Sequence, residues 1–403
     1  MAHWSPLPLF LLLLAPLASA REPLPLALIS EGTNERFHTQ GDGPPKHDLS
    51  GAAFNGRLLV MIDDGGSAKE SNYGYNALRV AIDLPASGAN VTDVPLPAEM
   101  QHEDLEAAAH DPVSDRFIIA SSLSNNASDV LSVFNIVVSF PGGETNDTVA
   151  VQLENAVSRP ARALVLEALR KHLVAAEGAP EWREEWLERV MDAPAKAGGL
   201  NVEGLAVAPD GALLLGLRSP LLGERFATLN DEGLPILNEG DALVVRLGNV
   251  STFFDGTWSD TVEGAFARLN STAVMRLDLG GRGVRAMSDS VDVPSAFSGF
   301  IGIAGPAPKA TDYEPFAAVL SNDTSADGGV IPTRYLQVPD FAKLCRPEGA
   351  AMCVDSWCRR PDSADDDDAW AVLAFLSEAS GPECADAEVD YLLASPVDAA
   401  WQV

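Results

Sequence analysis

A short polar-to-apolar motif recurs along this chain just ahead of strand-like runs, and a repeat of that kind narrows the fold more than composition does. It reads His47-Asp48-Leu49-Ser50-Gly51-Ala52-Ala53-Phe54 before the run at Arg57, and Glu103-Asp104-Leu105-Glu106-Ala107-Ala108-Ala109 before the run at Arg116. It returns as Leu200-Asn201-Val202-Glu203-Gly204-Leu205-Ala206-Val207 before Ala212, and as Arg346-Pro347-Glu348-Gly349-Ala350-Ala351 near the end. Phe297-Ser298-Gly299-Phe300-Ile301 is a weaker echo. The shared form is a polar residue, a spacer, Glu or Ser, Gly or Ala, then small apolar residues. Copies are spaced by one or two multiples of the roughly 40–50 residues of a propeller blade. A sandwich has no reason to repeat an acidic strand-opening motif, whereas radial sheets do.

The stretches between the copies fit this reading. Arg57–Asp63, Leu78–Leu84, Arg116–Ser121, Val130–Ser139 and Ala212–Arg218 are short runs rich in Val, Ile and Leu, bounded by turn formers. Ala242–Leu247, Ala273–Leu279, Gly299–Ala304, Phe316–Ser321 and Arg334–Val338 continue the series. One segment, residues 161–191, changes to helical spacing. Val165, Leu169 and Leu173 share one face, and Trp182, Trp186 and Val190 another, with Pro180 placed to start the second piece. The expected fold is an all-β propeller, six blades preferred and seven the alternative, with an inserted helical hairpin that docks on the β-domain. Residues 21–403 form a single domain in this reading.

Two longer stretches carry a resemblance. One is Asn201–Ala206 running through Leu213-Leu214-Leu215-Gly216-Leu217-Arg218-Ser219-Pro220-Leu221, and the other is Arg276-Leu277-Asp278-Leu279-Gly280-Gly281-Arg282-Gly283-Val284-Arg285. Asp104-Leu105-Glu106, Gly302-Ile303-Ala304-Gly305-Pro306 and Pro347-Glu348-Gly349 support them. Together they resemble domain-of-unknown-function family 3616, over about residues 45–378. The resemblance implies a propeller-like fold and brings no established activity. It also extends to phytase-like and esterase-like propellers, which carry similar Glu-Gly-Leu-Ala segments. Where the family tends to show Gly-Ser-His-Ser, this chain reads Ala120-Ser121-Ser122-Leu123-Ser124.

Equivalent positions of successive blades converge at the mouth of a propeller's channel. Asp48, Asp104, Glu106, Asn201, Glu203 and Glu348 would then form a ring of oxygen ligands. Hard oxygens of this kind suit Ca2+, and a bound divalent ion could polarise a phosphoryl or carbonyl oxygen. The competing reading is structural: such glutamates cap backbone amides or pair with arginines on neighbouring strands. Arg218 is placed to hold an anionic group, and His102 or His47 to act as a general base. No nucleophile elbow or zinc helix is present, and Gly280-Gly281-Arg282-Gly283 reads as a tight turn between strands rather than a dinucleotide loop. Asp365–Asp368 reads as a solvated loop. The expectation is therefore a propeller that binds a small-molecule ligand or an extracellular partner at an acidic channel. A metal-assisted hydrolase of phosphate esters, lactones or related esters is the alternative.

The chain also carries marks of export. Residues 1–20 combine an apolar run, Leu7–Leu14, with Ala18-Ser19-Ala20, the pattern of a cleavable signal peptide too short to span a bilayer. Sequons lie at Asn90, Asn126, Asn146, Asn249, Asn270 and Asn322. Cys345, Cys353, Cys358 and Cys384 are confined to residues 345–384, where two disulfides suit an oxidising compartment; their spacing matches neither a zinc site nor a redox pair. With 58 acidic against 27 basic residues, the net charge of −31 opposes binding to nucleic acid or an anionic membrane.

Overall fold

In a computed structural model of the chain, the described residues are 24–32, 49–55, 57–63, 77–82, 90–100, 104–125, 129–139, 150–223, 240–255, 258–259, 261–269, 271–288, 299–306, 315–321, 330–331, 333–355, 370–377 and 391–396. A first strand, β1 (Leu24–Gly32), precedes four strands in antiparallel succession: β2 (Leu49–Phe54), β3 (Leu58–Asp63), β4 (Ala77–Ile82) and β5 (Asn90–Pro95). The second such sheet is β6 (Leu105–Asp111), β7 (Arg116–Ser121), β8 (Val130–Ser139) and β9 (Ala150–Pro160). Helices α1 (Arg162–Leu169) and α2 (Trp182–Asp192) follow. The third sheet is β10 (Asn201–Val207), β11 (Ala212–Leu222), β12 (Asp241–Asn249) and, after the short helices α3 (Val250–Phe254) and α4 (Val262–Arg268), β13 (Thr272–Leu277).

The fourth sheet is built from β14 (Arg282–Met287), β15 (Gly299–Pro306) and β16 (Phe316–Ser321), then β17 (Val330–Ile331), which crosses to pair in parallel with β13, and β18 (Thr333–Gln337) on its outer edge. The last sheet is β19 (Pro347–Asp355), β20 (Trp370–Ser377) and β21 (Tyr391–Pro396), and β1 returns to complete it antiparallel to β21. β1 also pairs in parallel with β18, joining the last two sheets edge to edge.

The innermost strands β2, β6, β10, β14 and β19 pack against one another in a closed cycle, β19 touching β2. The fold is a β-propeller, and the described residues form five blades rather than the six preferred or the seven allowed from repeat spacing. The difference has a physical origin. The interval from Glu106 to Glu203 holds one blade plus the helical insertion, not two blades. The echo at Phe297–Ile301 does not open a blade either: Gly299 begins β15, the second strand of blade four, while Phe297 and Ser298 lie outside the described residues. The true opening strand there is β14, which carries Arg285 where the other blades carry Glu or Ser.

The repeat has a structural cause at one position per blade. Each inner strand loses register with its neighbour around one equivalent residue, Ser50, Glu106, Glu203, Arg285 or Glu348, and β10 shifts a second time between Asn201 and Val202. Such irregularities re-aim a side chain out of the pleat. The residue that follows is Gly or Ala because adjacent inner strands come close. A Cβ on Gly51 would meet Ala107 Cα of the next blade at 2.8 Å, and one on Gly204 would meet Val284 and Met287 side chains at 2.8 Å.

The helical segment docks as expected. Val165, Leu169, Leu173, Trp186 and Val190 are buried in one cluster with Leu200, Val202, Leu215, Leu243 and Phe253 of blade three, and Trp182 packs against its margin. A π-helical turn, Arg170–Val174, extends α1 and carries Leu173 into that core. Trp186 satisfies its indole by donating Nε1–H to the Leu221 carbonyl at 3.0 Å. The Gly280–Gly281 pair forms the turn between β13 and β14 with φ of 62° and 79°, a left-handed pair that glycine adopts without strain. No described helix is long and apolar enough to cross a membrane.

The close contact of the inner strands gives a direct test. Gly51→Ala is expected to destabilise the fold by about 1–3 kcal/mol through overpacking against backbone that cannot turn aside. Chemical denaturation would measure it, and wild-type stability would refute the contact.

Candidate functional site

Strands alternate in direction, so the start of each inner strand shares a face with the outer strand of the preceding blade and with the loop after each second strand. That face therefore collects the bulged residues, the α1–α2 insertion, and the ends of β7 and β11. Leu105 pairs with Ser121 and Asn201 with Ser219, which places both loops beside the cluster.

Glu203 is its centre and is 3% exposed. Asn201 donates Nδ2–H to Glu203 Oε1 at 3.0 Å, and Arg218 donates Nη1–H to the same oxygen at 2.5 Å. Arg218 also donates from Nε to the Pro306 carbonyl at 3.2 Å. Arg285 Nε lies 3.4 Å from Glu203 Oε2, and its Nη2 pairs with Glu348 Oε1. One arginine thus bridges the glutamates of blades three and five. Its neighbour Gly305 leaves it room, because a Cβ there would fall 2.3 Å from Arg285 Cδ. Asn201, Glu203, Arg285, Glu348 and Glu106 are all buried, and Arg218, with its side chain 24% exposed, reaches solvent.

Of the residues expected to form a ring, Asn201, Glu203, Arg218 and Glu348 are joined through Arg285, and Glu106 sits on the equivalent bulge of blade two. Among the described residues no three His, Cys, Asp or Glu side chains are grouped so as to hold a metal ion. Glu203 and Glu348 are turned toward guanidinium groups, so arginine supplies the positive charge that a cation was expected to bring. Asp104 holds a left-handed φ of 66° two residues before Glu106, and Arg346 repeats this at 47° before Glu348. Asp48, His47 and His102 lie outside the described residues. Arg285 was missed because no acidic motif marks it; the only signal was its place between a Gly-Gly turn and a second strand.

The loop after β7 is the other departure. Ser122 donates its N–H to the Asp104 carbonyl at 2.9 Å, and its own carbonyl accepts from Val202 at 2.8 Å, tying blades two and three together. Leu123 is fully buried with φ of 54°, a conformation that costs a bulky side chain about 1–3 kcal/mol. Ser121, Ser122 and Ser124 are buried around it.

His110 stands apart, at the far end of β6. It packs on Phe117 with ring centroids 5.0 Å apart and bonds through Nε2 to Asp115 Oδ1 at 2.9 Å. Burial holds its imidazole below the ordinary value, while Asp115 and Asp111 oppose that shift. Cys345 is disulfide-bonded, and the side chains of Cys353, Cys358 and Cys384 lie outside the described set. Of the sequons, Asn90 and Asn249 fall at ends of β5 and β12, and the other four are outside the described residues.

A family profile, that of a protein of unknown function (DUF3616), matches residues 134–243, from within β8 through the helices to the start of β12. The match includes Asn201, Glu203 and Arg218 and is narrower than the resemblance read from the sequence. No curated protein sequence matches the chain. Among solved structures, a nidogen/laminin complex is similar at a TM-score of 0.32 and 11% identity, over 83% of this chain and 78% of that one. A luciferin-regenerating enzyme is similar at 0.34 and 9%, over 91% and 80%. Fructan 1-exohydrolase IIa from Cichorium intybus is similar at 0.38 and 10%, over 90% of this chain and 57% of its own. No activity is carried over from any of them.

Two outcomes follow from these contacts. Arg285→Met strips a buried cation from two carboxylates and is expected to cost about 3–5 kcal/mol, with most recovered when Glu203→Gln and Glu348→Gln are added. Equal denaturation midpoints for wild type and the single variant would show that the bridge holds nothing. For His110 the lowered folded value means that the unfolded chain takes up a proton that the fold resists. Its contribution is intact above the ordinary imidazole value of about 6.5 and is lost as pH falls through the folded value. His110→Gln should therefore flatten the loss of thermal stability between neutral and mildly acidic pH. Parallel pH curves for the two proteins would be the contrary result.

Proposed function

We propose that this protein is an extracellular β-propeller that binds a small polar ligand at its channel mouth, on the face where the bulged side chains converge. The observation that carries the reading is the Asn201–Glu203–Arg218–Arg285–Glu348 cluster. Buried ionised groups are costly, and a hydrophobic replacement of similar volume often serves stability as well or better. Blade one manages its equivalent position with Ser50, so closing the ring does not demand charge. Charge gathered at one mouth, with one arginine reaching solvent, is the arrangement of a recognition site. The strained Leu123 loop beside it agrees, since strain of this kind gathers at ligand sites. The signal-like residues 1–20, the sequons and the disulfide-bonded Cys345 support the extracellular half of the proposal. The facing arginines count against the metal-assisted hydrolase alternative, because they already neutralise the carboxylates that a divalent ion would need.

A thermal-shift screen of chemically diverse polar small molecules is expected to yield compounds that raise the melting temperature. Arg218→Ala should weaken their binding about tenfold, the loss of one charge-assisted hydrogen bond. A screen without stabilisers, or stabilisers indifferent to the substitution, would remove the proposal. Production in a secreting eukaryotic cell should give a chain beginning at Arg21 whose mass falls on deglycosylation. An intact Met1 terminus would overturn the assignment of export.

A further inference from the structure

We infer that the ligand held at the channel mouth is a neutral polyhydroxyl compound, a sugar or polyol; this rests on the reading that the mouth binds a ligand. The orientation of the Asn201 amide is fixed by its own bond, Nδ2–H to Glu203 Oε1 at 3.0 Å, so Oδ1 is its acceptor end. That oxygen is buried without a hydrogen-bond partner among the described residues, whereas Glu203 Oε2 on the adjacent bulge faces Arg285 Nε at 3.4 Å. The two side chains are 5% and 3% exposed. Native folds rarely leave buried acceptors unmatched, and those that do commonly mark a ligand position.

Charge at the same place is already matched. Glu203 faces both Arg218 and Arg285, and Glu348 faces Arg285. A cationic ligand would approach two guanidinium groups and an anionic ligand two carboxylates, in surroundings where water screens little. What the cluster calls for is a neutral donor. A hydroxyl supplies one to Asn201 Oδ1, and its own oxygen can accept from Arg218, the most exposed of the charged members. A compound with several neighbouring hydroxyls satisfies donors and acceptors together, which a carboxylate or an ammonium does not.

The test compares one carbon skeleton in three charge states by saturation-transfer NMR and calorimetry on the full secreted chain. Glucose, mannose, galactose and sorbitol are the neutral probes, gluconate the anion and glucosamine the cation. Neutral members are expected to bind at least about tenfold more tightly than their charged analogues. Asn201→Ala should weaken the neutral binding by about tenfold while the melting temperature reports that the variant folds. Should that variant not fold, the charge series on the wild type decides alone. A neutral oligosaccharide, maltoheptaose, separates a free sugar from a glycan chain as the source, by its affinity relative to glucose. Tighter binding of gluconate or glucosamine overturns the inference and leaves ligand binding at the mouth standing. Binding of none of these probes also overturns it, whereas the broader proposal falls only with the diverse screen.

Discussion

Five inner strands that close on one another leave space at their nearest approach for little more than a hydrogen atom. Everything distinctive about the chain answers to that. Glycine or alanine follows each bulge because a larger group would strike the neighbouring strand. The bulge turns the residue before it out of the pleat, and four of those five residues are charged. Two carboxylates brought this near in a dry setting would repel, and Arg285 on the intervening blade removes that repulsion. Packing thus sets the spacing, spacing brings the charges together, and their pairing ties blades three, four and five.

Much of this was legible in the residues. Apolar runs gave strands such as Arg116–Ser121 and Val130–Ser139 at their observed limits. The change to helical spacing after Ala161 marked a segment that docks by the face it presented, because Val165, Leu169 and Leu173 admit only one apolar side. The Glu-Gly repeat pointed to convergence for the right reason. What it could not convey was the blade whose signal had changed sign. Arg285 occupies the equivalent position, but a search for acids passes over it, and pairing across blades joins residues far apart in sequence. Leu123 was illegible for another reason: nothing in a leucine announces a left-handed backbone.

Arginine in one of five equivalent places also changes what the mouth is. A ring of acids alone would be a cation trap. With Arg285 and Arg218 inserted, it becomes an alternating array whose charges largely answer one another, and the residual capacity is that of an amide oxygen. For the ligand proposed above, selectivity in such an array comes from hydrogen-bond direction more than from net charge, even in a chain with a net charge of −31.

The closing strand ties the first part of the chain to the last. β1 pairs with β21 and with β18, so a strand made ahead of β2 finds its partners only once β18 and β21 have been made. Arg21, Glu22 and Pro23 alone separate it from the proposed cleavage point after Ala20. Until β18 and β21 have been made, the belt stays unbuckled. A delay in making β21 would extend the lifetime of an open ring whose two terminal edges are bare to neighbours.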